Sequence, residues 1–365
     1  MKLFEIIKAI ESVAPSVLQE AYDNSGLLVG NASDEVQKAL LTLDCTEEVV
    51  QEAIENGCDL IIAHHPIIFG GLKRLNGNNY VERVVIAAIK NNIAIYACHT
   101  NLDNVLNQGV NQHIADKFGL KKVQILQPME NALAKLVVFA PQTHADVVRE
   151  AMFTAGAGRV GNYDECSFNV QGEGTFRGNA ETNPYIGMQG ERHTESEQMI
   201  EVLLPKNAVA SVLKAVSAVH PYEEVAYNVI PLMNKWQDAG SGVIGILEHP
   251  VPGNAFPALV KKVLSADVVR FTEPVSWVKK VAICGGSGAF LMKKALAAGA
   301  DAFITADVKY HEFFDAEKAM MVCDPGHYET EQFTVELFAE ILSEKFPNFA
   351  TRFSTIKTNP IQYHY

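Results

Sequence analysis

His64-His65-Pro66 closes DLIIAHH (residues 59–65), a nearly all-apolar run. Neutral imidazole offers a nitrogen lone pair to a divalent cation. His99 and Asp103 lie in ACHTNLD, where a second apolar run ends, so an imidazole and a carboxylate leave that strand together. His327 and Glu331 stand four apart in DPGHYETE, after a third run, AMMVCDPG. On a helix beginning near Tyr328 that spacing puts both on one face. Open α/β sheets collect ligands at the carboxyl ends of their strands, where these clusters lie. Adjacent strand residues point to opposite faces, so His64 and His65 share a site only if the chain turns there; Pro66 favours a bend. Imidazole and carboxylate together suit zinc, manganese or iron, and a carboxylate can bridge two ions. Taken singly, a strand-end His is more ordinarily a capping or hydrogen-bonded residue.

The elements that must position these groups alternate. KALLTLD (38–44) reads as a strand, and TEEVVQEAIENG (46–57) as a helix with Thr46 as N-cap, acids in its first turn and a closing Gly57. DLIIAHH is a strand, YVERVVIAAIKNN (80–92) a helix and IAIYACHT (93–100) a strand. Fully apolar strands separated by helices imply a sheet covered on both faces. The style returns in VKKVAICGG (278–286), SGAFLMKKALAAGA (287–300), DAFITAD (301–307), AMMVCDPGH (319–327) and a long amphipathic helix over 329–346. The middle differs: strand, helix, strand, strand, helix, strand, the β-α-β-β-α-β order of a ferredoxin-like α+β unit. The expected division is an N-terminal α/β lobe at 1–128, an insertion at 129–232 and a C-terminal α/β lobe at 233–365.

Composition narrows the function. The net charge is −13, from 43 acidic and 30 basic residues, with no Lys/Arg block. Nucleic-acid binding needs a basic face and is not expected. No run is long enough to span a membrane. MKLFEIIKAIESVAP is an amphipathic helix whose Glu5 and Glu11 interrupt the apolar run, unlike a signal peptide. The 6 cysteines lack C-x-x-C spacing and read as reduced thiols of a cytoplasmic protein.

Other motifs are weaker. Gly156–Gly161 matches G-x-G-x-x-G but follows a helix, the reverse of the context a dinucleotide needs. Cys284-Gly285-Gly286-Ser287-Gly288 reads as a tight strand-to-helix turn, with an anion cradle as the alternative. His220-Pro221-Tyr222-Glu223-Glu224 is expected to be structural or at a subunit interface, and Asp307, Lys309, Tyr310 and His311 are candidates for a cavity mouth.

DLIIAHHPIIF, ACHTNLD and DPGHYETE, in this order, resemble the GTP cyclohydrolase I type II homologues, also called Nif-three-like proteins. EAYDNSGLLVG (20–30) resembles that family's opening motif, with Tyr22 where Trp is common and Ser25 where a small or β-branched residue is common. GEGTFRG, NPYIG and HPYEEVAYNVIPL resemble the insertion of its longer bacterial members. The resemblance spans essentially the whole chain. It implies two α/β lobes forming one core around a dinuclear metal site, interrupted by a ferredoxin-like insertion of the PII-like or CutA-like type. It also implies metal ligation by His64, His65, Asp103, His327 and Glu331, and a toroidal homohexamer. His99 is placed behind these ligands as an orienting group or proton shuttle, with a hydrogen-bonded strand-end histidine as the alternative. These ligands are many for one zinc and suit two divalent ions per chain, zinc first, with manganese or iron as alternatives.

The function these expectations favour is a metal-dependent hydrolase, with metal-activated water attacking a nucleotide or phosphoester-like small molecule. The alternative is a non-catalytic metal-binding or regulatory scaffold.

Overall fold

The computed structural model describes residues 1–364. The chain forms two compact units: residues up to Pro128 together with those from Asp238 onward, and Met129–Gln237. Before the smaller unit run β1 (Gly26–Val29), β2 (Lys38–Thr42), β3 (Leu60–Ala63), β4 (Ala94–Ala97) and β5 (Lys121–Met129). Within it are β6 (Leu133–Pro141), β7 (Ser167–Phe176), β8 (His193–Pro205) and β9 (Tyr227–Pro231). After these come β10 (Trp236–Pro252), β11 (Arg270–Phe271), β12 (Trp277–Ser287), β13 (Ala302–Ala306), β14 (Met321–Asp324) and β15 (Ala350–Phe353).

The larger unit is mixed α/β with two sheets. The first has the order β1-β4-β3-β2-β15, parallel from β4 through β15 with β1 antiparallel at its edge. A central parallel strand is buried on both faces, which is why β3 reads LIIA without alternation. Helices Glu47–Glu55 and Tyr80–Lys90 cover one face through Val49, Val50, Val84 and Val85. The first is capped as its sequence demands, Thr46 accepting from the Val49 amide. Helix Thr334–Lys345 packs against β2 and against the first helix, Leu3–Val13. The second sheet has the order β11-β14-β13-β12-β10-β5, with β12, β13 and β14 parallel.

The sheets do not follow the halves of the chain. β5, before the insertion, edges the second sheet, and β15, near the end, edges the first. The helix expected over 329–346 is two helices, His327–Glu331 and Thr334–Lys345. The short first piece belongs to the site, and the longer one to the core.

The smaller unit runs strand, helix, strand, strand, helix, strand, with a sheet in the order β7-β8-β6-β9, antiparallel throughout. Its core joins Leu136, Val138, Ile200 and Val202 of the sheet to Val148, Val212 and Val216 of helices Ala145–Thr154 and Val209–Val219.

Candidate metal centre

Three strand ends of the larger unit deliver the site. β3 stops at Ala63, so His64 and His65 lie beyond the pleat and escape its alternation. Their amides bond to the Leu43 carbonyl at the end of β2, which fixes the turn. β4 stops at Ala97, and the turn Thr100–Asp103 carries its carboxylate back toward the same rim. β14 stops at Asp324; Gly326, at φ +110°, then swings the chain into the helix His327–Glu331.

The side chains converge. Glu331 Oε2 lies 2.9 Å from His65 Nε2, 2.9 Å from His327 Nε2 and 3.9 Å from His64 Nε2. His64 Nε2 lies 3.6 Å from Asp103 Oδ1. Three sets have ligand atoms mutually within 4.8 Å: His64, His65 and His99; His65, His327 and Glu331; His64, Asp103 and Glu331.

Each imidazole is held from behind through Nδ1. His64 bonds to the Cys98 carbonyl at 2.9 Å, His65 to Asp44 at 2.7 Å, His99 to Asp23 at 2.8 Å and His327 to Asp307 at 2.7 Å. A carbonyl or carboxylate there demands the Nδ1–H tautomer, so the neutral ring presents a bare Nε2 lone pair to the site. This is the arrangement metal-binding histidines use, and it raises their basicity as ligands.

The electrostatics are those of crowded donors. Burial pushes His64 down to about 3. Burial also opposes charge on His65, but hydrogen bonds to Asp44 and Glu331 outweigh it and hold that ring at about 10. On His327 burial is likewise outweighed, by the Glu331 charge and the Asp307 hydrogen bond, giving about 11. Glu331 would be raised by burial, yet His327 and His65 keep it well below the usual carboxylate range. Asp103 is pushed well above that range by burial and by the Glu331 charge. His64 Nε2 and Asp103 Oδ1 are buried with no hydrogen-bond partner among the described residues. Two buried electron-pair donors facing one another this closely are costly unless a cation stands between them. The donor set therefore fits a divalent metal.

The cluster opens onto a cavity of about 1050 Å³, lined also by Tyr22, Phe69, Tyr80, Gln127, Ser241 and Phe290. The ring centroids of Phe69 and His99 are 5.8 Å apart, edge to face.

The comparisons bear on this geometry as a whole. Residues 1–360 match the family model described as Duf34/NIF3 (NGG1p interacting factor 3). The chain belongs to this family. A relative from Halalkalibacterium halodurans, named GTP cyclohydrolase 1 type 2 homolog, is 39% identical over 364 residues, 98% of each chain. One of the same name from Bacillus subtilis is 37% identical, covering 89% of this chain and 87% of its own. The solved Bacillus cereus protein related to NIF3 is 37% identical, covers 100% of this chain and 99% of its own, and superposes with a TM-score of 0.86.

In this NIF3-family chain the expected ligands His64, His65, Asp103, His327 and Glu331 all reach one cluster. His99 stands beside them, its ring centroid 5.2 Å from that of His64 and 5.3 Å from that of His65. Asp307 is the partner of His327 and also lines a cavity beside the cluster. Tyr310 and His311 pack against each other outside the cluster. In the smaller unit, His220 is buried and satisfied, Nε2 on the Phe139 carbonyl and Nδ1 accepting from the Tyr222 amide. The anion cradle is excluded. Gly285 and Gly286 donate to Asn111 and Thr330, and Gly288 donates to Thr305. Gly286 has φ +58°, and a Cβ there would strike the Glu331 carboxylate, so glycine is required beside the site.

Sequence reasoning missed Asp23 and Asp44 as groups that orient His99 and His65. The signal was present for Asp44, a carboxylate just past an apolar strand at the same sheet edge as His64.

Proposed function

We propose that the cluster is a dinuclear divalent-metal site, preferentially zinc, with manganese or iron as alternatives, and that the protein is a metal-dependent hydrolase. The observation that carries this reading is the facing pair His64 Nε2 and Asp103 Oδ1, buried without partners beside a Glu331 carboxylate shared by two further imidazoles. His64, His65, Asp103, His327 and Glu331 would hold the ions. Bound, such ions supply Lewis acidity and bring the pKa of a coordinated water toward neutrality.

The chain's own residues do the rest. Asp44 and Asp307 fix the rings of His65 and His327. The His99–Asp23 pair can accept a proton at Nε2 and stabilise the resulting imidazolium. The cavity admits a small molecule of nucleotide size. The name carried by the relatives, GTP cyclohydrolase 1 type 2 homolog, favours a nucleotide or phosphoester-like substrate. Among the described residues no helix is long and apolar enough to cross a membrane.

The β-α-β-β-α-β order of the smaller unit supports reading it as a PII-like or CutA-like insertion; a toroidal homohexamer is proposed from the family resemblance alone. That topology also favours the second reading, a non-catalytic metal-binding or regulatory scaffold.

The test is metal analysis of protein purified without added metal, then assay of the metal-loaded protein against nucleotides and phosphoesters. Activity lost in Asp103→Ala supports the enzyme. Tight metal binding with no turnover across the panel favours the scaffold.

A further inference from the structure

The tail after β15 has no regular secondary structure over residues 354–364, yet side chains pin it at intervals. Ser354 and Thr355 donate to Glu52 on the outside of helix Glu47–Glu55, at 2.5 and 2.7 Å. Farther along, Thr358 Oγ1 donates to Asp44 Oδ2 at 2.5 Å. The other oxygen of that carboxylate, Oδ1, holds His65 Nδ1 at 2.7 Å. The next residue, Asn359, is buried and donates to Glu329 Oε1 at 2.9 Å, inside the short helix that presents His327 and Glu331. Thr358 and Pro360 line the cavity at the cluster, and Pro360 also lines a second cavity of about 490 Å³ that shares Asp44, His65 and His327.

We propose that this tail is a positioning strap for the metal centre, with Thr358 acting through Asp44 on His65. The inference rests on the metal-site reading above. A carboxylate held only by the imidazole it orients can rotate about its own side-chain torsions. Held at its second oxygen as well, it fixes the plane in which His65 points Nε2 at Glu331. Asn359 does the same work on the opposite wall by seating the helix that carries His327 and Glu331. The strap thus ties together two ligand-bearing segments far apart in sequence. Losing a partner behind a ligating histidine lowers metal affinity by about 10- to 100-fold in metalloproteins. One hydrogen bond further out, about tenfold is the expected effect of losing Thr358.

The experiment compares zinc affinity, by competition with a chromogenic chelator, in full-length wild type and in Thr358→Val, Thr358→Ser and Thr355→Val. Crystal structures of wild type and Thr358→Val, both without added metal, accompany it. Valine keeps the shape and removes the donor; serine keeps the donor. The expected result is roughly tenfold weaker binding in Thr358→Val, recovery in Thr358→Ser, and wild-type affinity in Thr355→Val, which loosens the tail only at Glu52. Wild-type affinity in Thr358→Val overturns the proposal, as does an equal loss in Thr355→Val. If the wild type itself takes up no zinc, the metal reading fails separately. The strap is then judged on the crystal structures: a turned His65 ring in Thr358→Val supports it, and an unchanged Asp44–His65 pair overturns it.

Discussion

Glu331→Gln isolates the group on which the site converges. The substitution keeps volume and removes one buried negative charge. That charge lies 2.9 Å from two imidazole nitrogens and holds both rings protonated in the absence of an ion. Hydrogen bonds to charged groups contribute about 1.5–3 kcal/mol each, and losing Glu331 leaves each ring its other carboxylate, Asp44 on His65 and Asp307 on His327. Folding should therefore survive, at a cost of about 3–5 kcal/mol at most. Metal binding should not. Of the three potential ligand sets, two contain Glu331, leaving only His64, His65 and His99 intact. Losing a shared ligand should exceed the loss seen when a partner behind a ligand is removed, so affinity should fall by more than about 100-fold, or about 2.7 kcal/mol. The assay is zinc titration by calorimetry, with circular dichroism confirming the fold. Glu329→Gln is the comparison, a buried carboxylate of the same helix whose replacement keeps an amide oxygen to accept from Asn359, so the helix stays seated and any loss should be far smaller. Wild-type stoichiometry and affinity in Glu331→Gln, or an equal loss in Glu329→Gln, would refute the reasoning.

Asp23→Asn should leave metal stoichiometry unchanged and lower kcat about 10²-fold, by removing the carboxylate that orients His99 and would stabilise its charged form; steady-state kinetics beside metal analysis checks this. Gly286→Ala should lower both melting temperature and metal affinity, since it costs about 1–2 kcal/mol in a left-handed backbone and pushes its Cβ into Glu331; calorimetry of apo and zinc-loaded protein measures both. Glu52→Gln should destabilise the protein at neutral pH by about 1–3 kcal/mol and become indistinguishable from wild type in acid. Burial alone would raise the Glu52 pKa, but hydrogen bonds from Ser354 and Thr355 bring it below its ordinary 4.5. A depressed folded-state pKa means the stabilisation is present above the unfolded value and is lost as pH falls through the folded one. Urea midpoints across pH 3–7 test the sign.

The residues of the candidate site were more legible than the scaffold. His64, His65, His99, Asp103, His327 and Glu331 stood out as candidates because strand-end positions and i, i+4 spacing are local properties, while the ligand set rested on the family resemblance. Thr46 and the β3 run were legible for the same reason. The exchange of edge strands was not, because nothing in KKVQILQPM or in ATRF says which sheet edge each will meet; that choice depends on the packing of distant elements. The break between Glu331 and Thr334 was hidden because no Gly or Pro marks it and the backbone at Gln332 and Phe333 stays in the right-handed helical region. Asp44 could have been found just past its apolar strand, but Asp23 was invisible as a partner because its role follows from which carboxylate reaches an Nδ1 across the sheet edge, and sequence separation carries no record of it.

Anomalous diffraction from crystals grown with zinc would test the central claim most directly. The account predicts two peaks about 3.5–4 Å apart, enclosed by His64, His65, Asp103, His327 and Glu331, with Glu331 touching both. Crystals that take up zinc only elsewhere on the protein, leaving these side chains hydrogen-bonded to one another, would contradict it.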